Sequence, residues 1–200
     1  VVQNDPSDYS IAVKDMVSLV RTSLGEDISL EFAVSGGETR DWIFSLPVAL
    51  NLPSAHVMIY KDGKTVGAEI KGKEMVHVAD LNNEGSSLKD YWVPIIRKAG
   101  GNIKDVFFYV DRLEEGAKVV KDLELRSHAV VPLNEHAWEY LQWISKVTPQ
   151  VYKQLMERGS SKVERDMWAG EMLRSDAGLE TLAALIASGK TLEKGKKILD

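Results

Sequence analysis

Up to Thr148 the chain alternates between two kinds of apolar segment. Short runs rich in β-branched and aromatic residues, such as AHVMIY and IKDVFFYV, have the length and composition of buried strands. The segments between them place apolar residues three and four positions apart, which is the spacing of an amphipathic helix. This pattern predicts strands at residues 28–34, 55–60, 65–70, 74–79, 103–110 and 125–131, and helices at residues 7–25, 42–52, 87–101, 113–123 and 134–147.

Strands that alternate with helices at this spacing predict an α/β fold, a mostly parallel sheet flanked by helices on both faces. The turn KDGK between residues 55–60 and 65–70 favours one antiparallel hairpin within that sheet. Pro47 and Pro94 fall inside predicted helices, and we expect them to kink or divide those helices.

The character of the chain changes after Thr148, where the strand pattern ends and short helical segments separated by glycines follow. Pro149 punctuates this boundary. We therefore predict an α/β domain at residues 1–148 and an all-helical C-terminal extension at residues 149–200.

Composition narrows the possible functions. The chain has 200 residues and a net charge of −5, which argues against sequence-independent binding of nucleic acid. The absence of cysteine excludes disulfides, thiolate metal sites and a cysteine nucleophile, and a reducing cytoplasm is the simplest setting for such a chain. The longest apolar runs are too short to cross a bilayer, so we expect no membrane partner.

The histidines do not form a recognisable metal or nucleophile motif. No His/Asp/Glu spacing indicates zinc, and no Ser-His-Asp arrangement is apparent. His56, His77 and His128 lie in predicted strands, where we interpret them as packing residues rather than ligands.

Three polar loops follow predicted strands, at the edge where a parallel sheet binds its ligands. The first, SGGETRD, is either an anion-binding turn or an ordinary turn into the next helix. The second, ADLNNEGSS, joins a strand that ends at one carboxylate to a helix, and it either holds a phosphate or is a plain turn. In the third, VDRLEEG, Arg112 either faces a ligand or pairs with Asp111, Glu114 or Glu115 at the surface.

In this order the three segments resemble the type I phosphoribosyltransferases, and specifically the orotate phosphoribosyltransferases. The glycine turn after the first core strand of that family corresponds to AVSGGETRDWIFSLPVALNL, and its phosphoribosyl loop corresponds to VHVADLNNEGSSL. The acid–arginine pair and the acidic-glycine stretch that close the next core strand correspond to VFFYVDRLEEG. The resemblance extends over about Ile28 to Leu141 and implies the fold of that family.

The resemblance also implies a ligand, a cofactor and an assembly. The ligand is phosphoribosyl pyrophosphate, which carries a 5-phosphate and a pyrophosphate bound to Mg²⁺, and the assembly is a homodimer. Asp80 is implied to be the catalytic carboxylate, which holds the ribose hydroxyls and helps to orient the metal ion, while Arg112 and Arg40 face a pyrimidine-type base such as orotate. The residues implied to contact phosphoribosyl pyrophosphate are Asn82, Asn83, Glu84, Gly85, Ser86 and Ser87 at the 5-phosphate, and Ser35, Gly36, Gly37, Glu38 and Lys61 on the pyrophosphate side.

Three features depart from the family pattern. Ala79 stands where the first of two adjacent acids is expected, and Glu84 brings a negative charge into the phosphate loop. The segment YKDGKTVGAEIKGK, in the place of a long lid, carries Lys61 and Lys64 but no histidine. Three hypotheses stay open. The first is a phosphoribosyltransferase that acts on a pyrimidine-type base, the second is a non-catalytic regulatory module that binds a nucleotide or a phosphate, and the third is a transferase for a different base.

Overall fold

The computed structural model describes residues 6–25, 32–157 and 162–187, and the described strands form one six-stranded sheet. The strands are β1 (Phe32–Gly37), β2 (Ala55–Ile59), β3 (Thr65–Gly67), β4 (Glu74–Asn82), β5 (Asn102–Asp111) and β6 (Arg126–Pro132). Their order is β3-β2-β1-β4-β5-β6, and every neighbouring pair is parallel except the β2–β3 hairpin. The predicted mostly parallel α/β sheet with its antiparallel hairpin is therefore confirmed.

Helices flank the sheet and continue beyond it toward the C-terminus. They are α1 (Pro6–Leu24), α2 (Trp42–Asn51), α3 (Val93–Lys98), α4 (Glu115–Asp122), α5 (Glu135–Trp143), α6 (Pro149–Glu157), α7 (Lys162–Arg174) and α8 (Asp176–Ala187). A π-helical turn at Leu88–Trp92 leads directly into α3. Across the three described ranges, no helix combines the length and the apolar character needed to span a bilayer.

The chain divides into two compact units, residues 1–141 and residues 142–200. The first unit contains the sheet, and the described part of the second unit contains only helices as regular elements, as predicted for the C-terminal extension. The predicted boundary between residues 148 and 149 falls immediately before α6 and stays a prediction. The predicted strand residues 28–31 and the helical segment at 191–200 lie outside the described residues.

Apolar side chains cover both faces of the sheet, because parallel strands are packed against helices on two sides. Ala33 and Val34 are adjacent in β1 yet belong to cores on opposite faces, which is the alternation expected of a strand. The core beside α1 and α2 includes Met16, Val20, Phe32, Val34, Val48, Val76, Val78 and Phe107. The core beside α3 and α4 includes Ala33, Val57, Met75, Trp92, Val93, Ile96, Val106 and Val120.

Pro47 lies inside one continuous helix, α2, so of the two predicted alternatives, a kink or a division into shorter pieces, the division is wrong. Proline has no N–H, and the hydrogen bond that residue 47 would donate to the carbonyl of Ile43 is therefore missing. The hydroxyl of Tyr9, in α1, donates to that carbonyl instead. A side chain from the neighbouring helix thus satisfies the acceptor that the proline leaves free.

The interruption predicted at Pro94 takes the form of the π-helical turn that precedes α3. Pro94 cannot donate a hydrogen bond within the helix, and the Val93 N–H donates to the Leu88 carbonyl, five residues back. The wider turn ends at Trp92, whose side chain is almost fully buried beside Gly37. Through Trp92, this irregular turn therefore packs against the end of β1.

Strands β1 and β4 run further than their sequence patterns predicted. Gly36 and Gly37 are the last residues of β1 and pair with β2, so the prediction that a turn begins at these glycines is wrong. Asp80 and Asn82 belong to β4, which extends three residues beyond the predicted end at Ala79. Glycine and aspartate have low intrinsic strand propensity, and pairing with neighbouring strands overrides that preference here.

Candidate functional site

The loops after β1 and β4 meet at the point where the strand order reverses, because β2 lies on one side of β1 and β4 on the other. Ligands of parallel α/β sheets bind in the crevice at such a point, outside the carboxyl ends of the strands. A cavity of about 270 Å³ lies there. Its polar lining comes from Glu38, Arg40 and Asp41 after β1, Lys61 after β2, His77, Asp80 and Asn82 in β4, and residues 83–87 in the loop that follows.

The loop Asn83–Ser87 leads from β4 into a helical segment and forms one end of the cavity. The first helical hydrogen bond runs from the Lys89 N–H to the Gly85 carbonyl (3.0 Å), so the preceding amides have no partner in the helix. Within the described residues, no hydrogen bond occupies the hydroxyls of Ser86 and Ser87. Free amides at a helix start bind anions, and this end of the cavity therefore has the donors that a phosphate requires.

Two glycines allow this loop to lie directly on α4. Gly85 has a φ of +71°, and a Cβ at that position would lie 2.9 Å from the Cβ of Val119. A Cβ on Gly116 would lie 2.1 Å from the side-chain oxygen of Asn82, and the Gly116 N–H donates to the Asn83 carbonyl (2.9 Å). The loop is therefore held by close packing against α4.

Asp41 fills the β1 end of the cavity with a carboxylate of the protein itself. Its Oδ2 accepts the Gly37 N–H (3.0 Å), and its Oδ1 accepts the Asp80 N–H (3.2 Å). Asp41 thereby connects the ends of β1 and β4, and only 8% of its surface is exposed. Backbone N–H groups in a concave site are donors that a bound anion can use, and of the two that Asp41 occupies, the one of Asp80 belongs to a residue that lines the cavity.

His77 is fully buried in β4, next to Asp41. Its Nδ1 lies 3.0 Å from the hydroxyl oxygen of Ser35, which also donates to the Val76 carbonyl (3.2 Å). Its Nε2 lies 3.5 Å from Asp41 Oδ2 and has no hydrogen-bond partner among the described residues. The contact at 3.5 Å is longer than a good hydrogen bond, so one polar atom at the cavity wall is left incompletely satisfied.

Asp80 and Arg40 form an ion pair in which Arg40 Nε lies 3.3 Å from Asp80 Oδ2. Burial raises the pKa of Asp80, the carboxylate of Asp41 raises it further, and Arg40 opposes both effects. Neighbouring carboxylates in a half-buried site disfavour each other's charged form. Arg40 offsets this only in part, because its side chain is 76% exposed and solvent screens the pair.

Gly36 and Gly37 are explained by packing against protein side chains. A Cβ at Gly37 would lie 2.2 Å from Trp92 Cε2, and a Cβ at Gly36 would lie 2.1 Å from the hydroxyl oxygen of Ser45. Any larger residue at either position would displace one of these side chains. The two glycines therefore have a structural reason that does not depend on a bound ligand.

Comparison with known proteins places this site in context. The orotate phosphoribosyltransferase of Thermoplasma volcanium is 25% identical over 142 residues, which cover 64% of this chain and 84% of that protein. The orotate phosphoribosyltransferase of Sulfolobus acidocaldarius is 26% identical over 136 residues, which cover 66% of each chain. No protein-family model matches the chain.

Solved structures have the same architecture. The orotate phosphoribosyltransferase of Aeropyrum pernix has a TM-score of 0.61 at 23% identity, with 71% of this chain and 80% of that chain covered. The fold is that of the type I phosphoribosyltransferases. The resemblance to orotate phosphoribosyltransferases that the three loops predicted is confirmed. A further structure, the Mycobacterium tuberculosis orotate phosphoribosyltransferase in complex with 5-phospho-α-D-ribosyl 1-diphosphate, has a TM-score of 0.52 at 22% identity, with 61% and 73% of the two chains covered.

The phosphoribosyltransferase fold brings most of the predicted ligand residues to one cavity. Glu38, Arg40, Lys61, Asp80 and residues 82–87 all line it. The predicted ligand residues that do not line it are Ser35, Gly36, Gly37 and Arg112.

Arg112, Asn82 and Ser35 are among the predicted ligand residues that have partners within the protein. Arg112 Nη2 lies 3.0 Å from Glu114 Oε1, which is the pairing alternative expected for a surface arginine. Asn82 Nδ2 donates to Asp111 Oδ1 (3.2 Å), and this bond joins the ends of β4 and β5. The hydroxyl of Ser35 contacts His77 inside the sheet. As ligand contacts these residues stay predictions.

Sequence reasoning missed Asp41 and His77. Asp41 stood in the pattern only as part of SGGETRD, where an Arg-Asp pair beside two glycines exceeds what a turn needs. Nothing in that pattern indicates that the carboxylate turns inward onto Gly37 and Asp80. His77 was interpreted as a packing residue, and its alternation in β4 gives no signal that one ring nitrogen reaches the cavity wall.

The neighbouring carboxylates of Asp41 and Asp80 are of the type that Mg²⁺ prefers. Both supply oxygen, and the raised pKa of Asp80 reflects in part a repulsion that a divalent cation would relieve. Mg²⁺ commonly binds through one or two carboxylates together with the phosphates of a substrate. Among the described residues, no group of three or more His, Asp or Glu side chains forms a metal site of its own. The residues therefore suit an ion that arrives with a phosphorylated ligand.

Proposed function

We propose that the cavity binds a ribose 5-phosphate group, with the phosphate on the Asn83–Ser87 loop and the ribose hydroxyls on Asp80. The observation that carries this proposal is the single cavity in which a loop that opens a helix lies beside the carboxylate near the end of β4. Free amides and serine hydroxyls donate to phosphate oxygens, and a carboxylate accepts hydrogen bonds from ribose hydroxyls. The complex of the Mycobacterium tuberculosis protein with 5-phospho-α-D-ribosyl 1-diphosphate supports this ligand class.

The reaction that we propose is transfer of the phosphoribosyl group from phosphoribosyl pyrophosphate to a pyrimidine-type base such as orotate. A ring nitrogen of the base forms a bond to C1 of the ribose and releases its proton to water, the bond from C1 to pyrophosphate breaks, and pyrophosphate leaves with that electron pair. Positive charge develops on the ribose, and the carboxylate of Asp80, the proposed ribose contact, would stabilise it. Mg²⁺, when bound through Asp80, supplies charge neutralisation of the leaving pyrophosphate. Arg40 is the proposed contact for the base.

A second candidate is a non-catalytic module that keeps the fold and binds a nucleotide or a phosphate. Asp41 favours it, because this carboxylate already occupies the amides of Gly37 and Asp80 at the β1 end of the cavity. The short turn after β2 also favours it. The Tyr60 N–H donates to the Lys64 carbonyl (2.9 Å), so the segment in the place of a lid folds back at once. Such a turn has little reach to exclude water from a reaction.

Titration calorimetry followed by an activity assay separates these candidates. Phosphoribosyl pyrophosphate with Mg²⁺, and ribose 5-phosphate alone, would be titrated into the full chain, and release of pyrophosphate would then be measured with orotate. Asp80→Asn is expected to weaken binding about tenfold, because a charged acceptor for the ribose hydroxyls is lost. Asp62→Asn is the matched control, because its carboxylate also accepts a backbone N–H (Lys64, 2.9 Å) but does not line the cavity.

The outcomes are distinct. No binding of either ligand at millimolar concentration refutes both candidates. Binding without pyrophosphate release for any pyrimidine or purine base refutes the transferase and retains the module. The homodimer, the cytoplasmic location and the absence of nucleic-acid and membrane partners stay predictions, as do the limits of the two domains.

A further inference from the structure

Carboxylates of the protein accept three backbone N–H groups on the β1 side, and two of these belong to residues that line the cavity, Asp80 and Lys61. Asp41 accepts the N–H groups of Gly37 and Asp80, and Glu38 Oε2 accepts the N–H of Lys61 (3.1 Å). These donors lie at the ends of β1 and β4 and just after β2. An anion that bound here would have to displace a carboxylate side chain of the protein that already accepts these hydrogen bonds.

The two ends of the cavity therefore offer opposite environments to an anion. The Asn83–Ser87 loop presents amides of a first helical turn and serine hydroxyls without protein partners among the described residues. The β1 end presents three carboxylates against two positive charges: Glu38, Asp41 and Asp80 against Lys61 and Arg40, which is already paired with Asp80. A phosphate gains donors at the first end, where the carboxylate of Glu84 is exposed to solvent, and meets more negative than positive charge at the second.

His77 provides an independent indication that Asp41 takes the place of a ligand group. Its Nε2 is fully buried at the cavity wall, lies 3.5 Å from Asp41 Oδ2, and has no hydrogen-bond partner among the described residues. Buried ring nitrogens are normally paired with protein or with water. An oxygen of a bound anion could make this contact if Asp41 moved aside.

We propose that the side-chain carboxylate of Asp41 occupies the position of a ligand anion and makes the site select ligands with a single phosphate. The site accepts 5-phosphorylated ribose, either as the free sugar phosphate or as a nucleoside monophosphate, and it disfavours phosphoribosyl pyrophosphate because the pyrophosphate meets the carboxylate of Asp41. The inference rests on the ribose 5-phosphate site proposed above, and it favours the binding module over the transferase, which needs phosphoribosyl pyrophosphate. Asp41 is then the residue that determines which phosphorylated ligands the cavity can bind.

Titration calorimetry on the full chain tests this selectivity with four probes. The probes are ribose 5-phosphate, uridine 5′-monophosphate, phosphoribosyl pyrophosphate and inorganic pyrophosphate, each with EDTA and each with Mg²⁺. The wild-type chain is expected to bind ribose 5-phosphate, uridine 5′-monophosphate or both. Its affinity for phosphoribosyl pyrophosphate should be at least about tenfold lower, and it should not bind pyrophosphate. The relative affinities of the first two probes distinguish a sugar phosphate from a nucleotide as the ligand.

Three variants isolate Asp41. Asp41→Ala frees both amides and is expected to raise the affinity for pyrophosphate and for phosphoribosyl pyrophosphate by about 10- to 100-fold, the factor for one charge-assisted hydrogen bond gained. Its affinity for ribose 5-phosphate should change less than its affinity for pyrophosphate, since the Asn83–Ser87 loop is unchanged and the only proposed ribose contact affected is Asp80, which loses its bond to Asp41. Asp41→Asn removes the charge but keeps the shape, and should give a smaller gain. The control Asp62→Asn should change none of the affinities.

Several results would overturn the inference. Wild-type binding of phosphoribosyl pyrophosphate as tight as that of ribose 5-phosphate would show that Asp41 is no obstacle. A loss of phosphoribosyl pyrophosphate affinity in Asp41→Ala with Mg²⁺ would make Asp41 a ligand of the metal–pyrophosphate complex instead. If Asp41→Ala does not fold, Asp41→Asn and the wild-type titrations still decide the question. Failure of ribose 5-phosphate and uridine monophosphate to bind refutes the proposed site, whereas the pyrophosphate titrations judge Asp41 separately.

Discussion

Replacing Gly37 by alanine tests how tightly the end of β1 is joined to the segment that follows the phosphate loop. A Cβ at this position would lie 2.2 Å from Trp92 Cε2 and 2.5 Å from Cζ2, whereas ordinary contacts begin at 3.4 Å. The ring and the strand would therefore have to separate by about 1 Å. Neither partner moves easily, because Trp92 is almost fully buried and Gly37 is paired with Ile59 of β2.

The expected cost follows from this rigidity. Overpacking a well-packed core costs about 1–3 kcal/mol, and we expect Gly37→Ala to lie near the upper value, about 3 kcal/mol. For a chain of this size, 1 kcal/mol corresponds to a change of about 2–4 °C in Tm, so the variant should melt about 6–12 °C below wild type. Affinity for ribose 5-phosphate should fall as well, because Trp92 belongs to the helical segment that begins at Ser86.

Urea unfolding and scanning calorimetry measure the cost, and a double-mutant cycle with Trp92→Leu identifies its origin. Without the indole ring the alanine methyl has room, so the penalty of Gly37→Ala in the Trp92→Leu background should fall below about 1 kcal/mol. Two results would refute the reasoning: a cost below about 0.5 kcal/mol in the wild-type background, or the same cost in both backgrounds.

Three further predictions concern a helix, a buried carboxylate and the phosphate loop. Tyr9→Phe leaves the carbonyl freed by the proline of α2 without its donor, and should lower the free energy of unfolding in urea by about 1 kcal/mol; no change would mean that water replaces the hydroxyl. Burial alone would raise the pKa of Asp105, but hydrogen bonds from Arg126 and His128 outweigh it and hold that pKa below its usual value of 3.8. The stabilisation by ionised Asp105 is therefore present above pH 3.8 and lost as the pH falls below it. Asp105→Asn should lower the free energy of unfolding by about 1–2 kcal/mol at neutral pH, and thermal melts should show that this difference from wild type becomes smaller in acid. A difference that does not change with pH would contradict this prediction. Glu84→Thr should raise the affinity for ribose 5-phosphate about threefold in calorimetry, because an exposed carboxylate at the cavity is removed, and an unchanged affinity would mean that Glu84 points away from the phosphate.

The fold could be predicted because it depends on periodic patterns. The apolar run at residues 103–110 predicts a buried strand, and β5 (Asn102–Asp111) follows it within one residue at each end. Parallel pairing then requires that the loops after successive core strands meet at one edge. The sequence pattern alone therefore assigns the loops that begin at Glu38 and Asn83 to one site, and both line the cavity.

The contacts within the site could not be predicted in the same way, because they depend on side chains far apart in the sequence. The pattern SGG suggested glycines that give a ligand access, whereas the structure shows that Gly37 makes room for Trp92, which lies beyond β4. The sequence pattern also cannot show that the Tyr9 hydroxyl donates to the carbonyl of Ile43, since this hydrogen bond depends on how α1 packs against α2. Periodicity locates backbones, while these contacts depend on the direction of single side chains.

The same limit changes which carboxylate matters most for the function of the site. Sequence comparison drew attention to Glu84, because its charge falls inside the phosphate loop. Glu84 is exposed, and at 4 Å in water a unit charge repels another by only about 1 kcal/mol before salt screening. Asp41 is 8% exposed and accepts two backbone amides, each a charge-assisted bond that contributes about 1.5–3 kcal/mol. A phosphate on the loop can therefore tolerate Glu84 at little cost, whereas a pyrophosphate at the β1 end must displace Asp41 against a larger free energy, and the choice between transferase and binding module depends chiefly on Asp41.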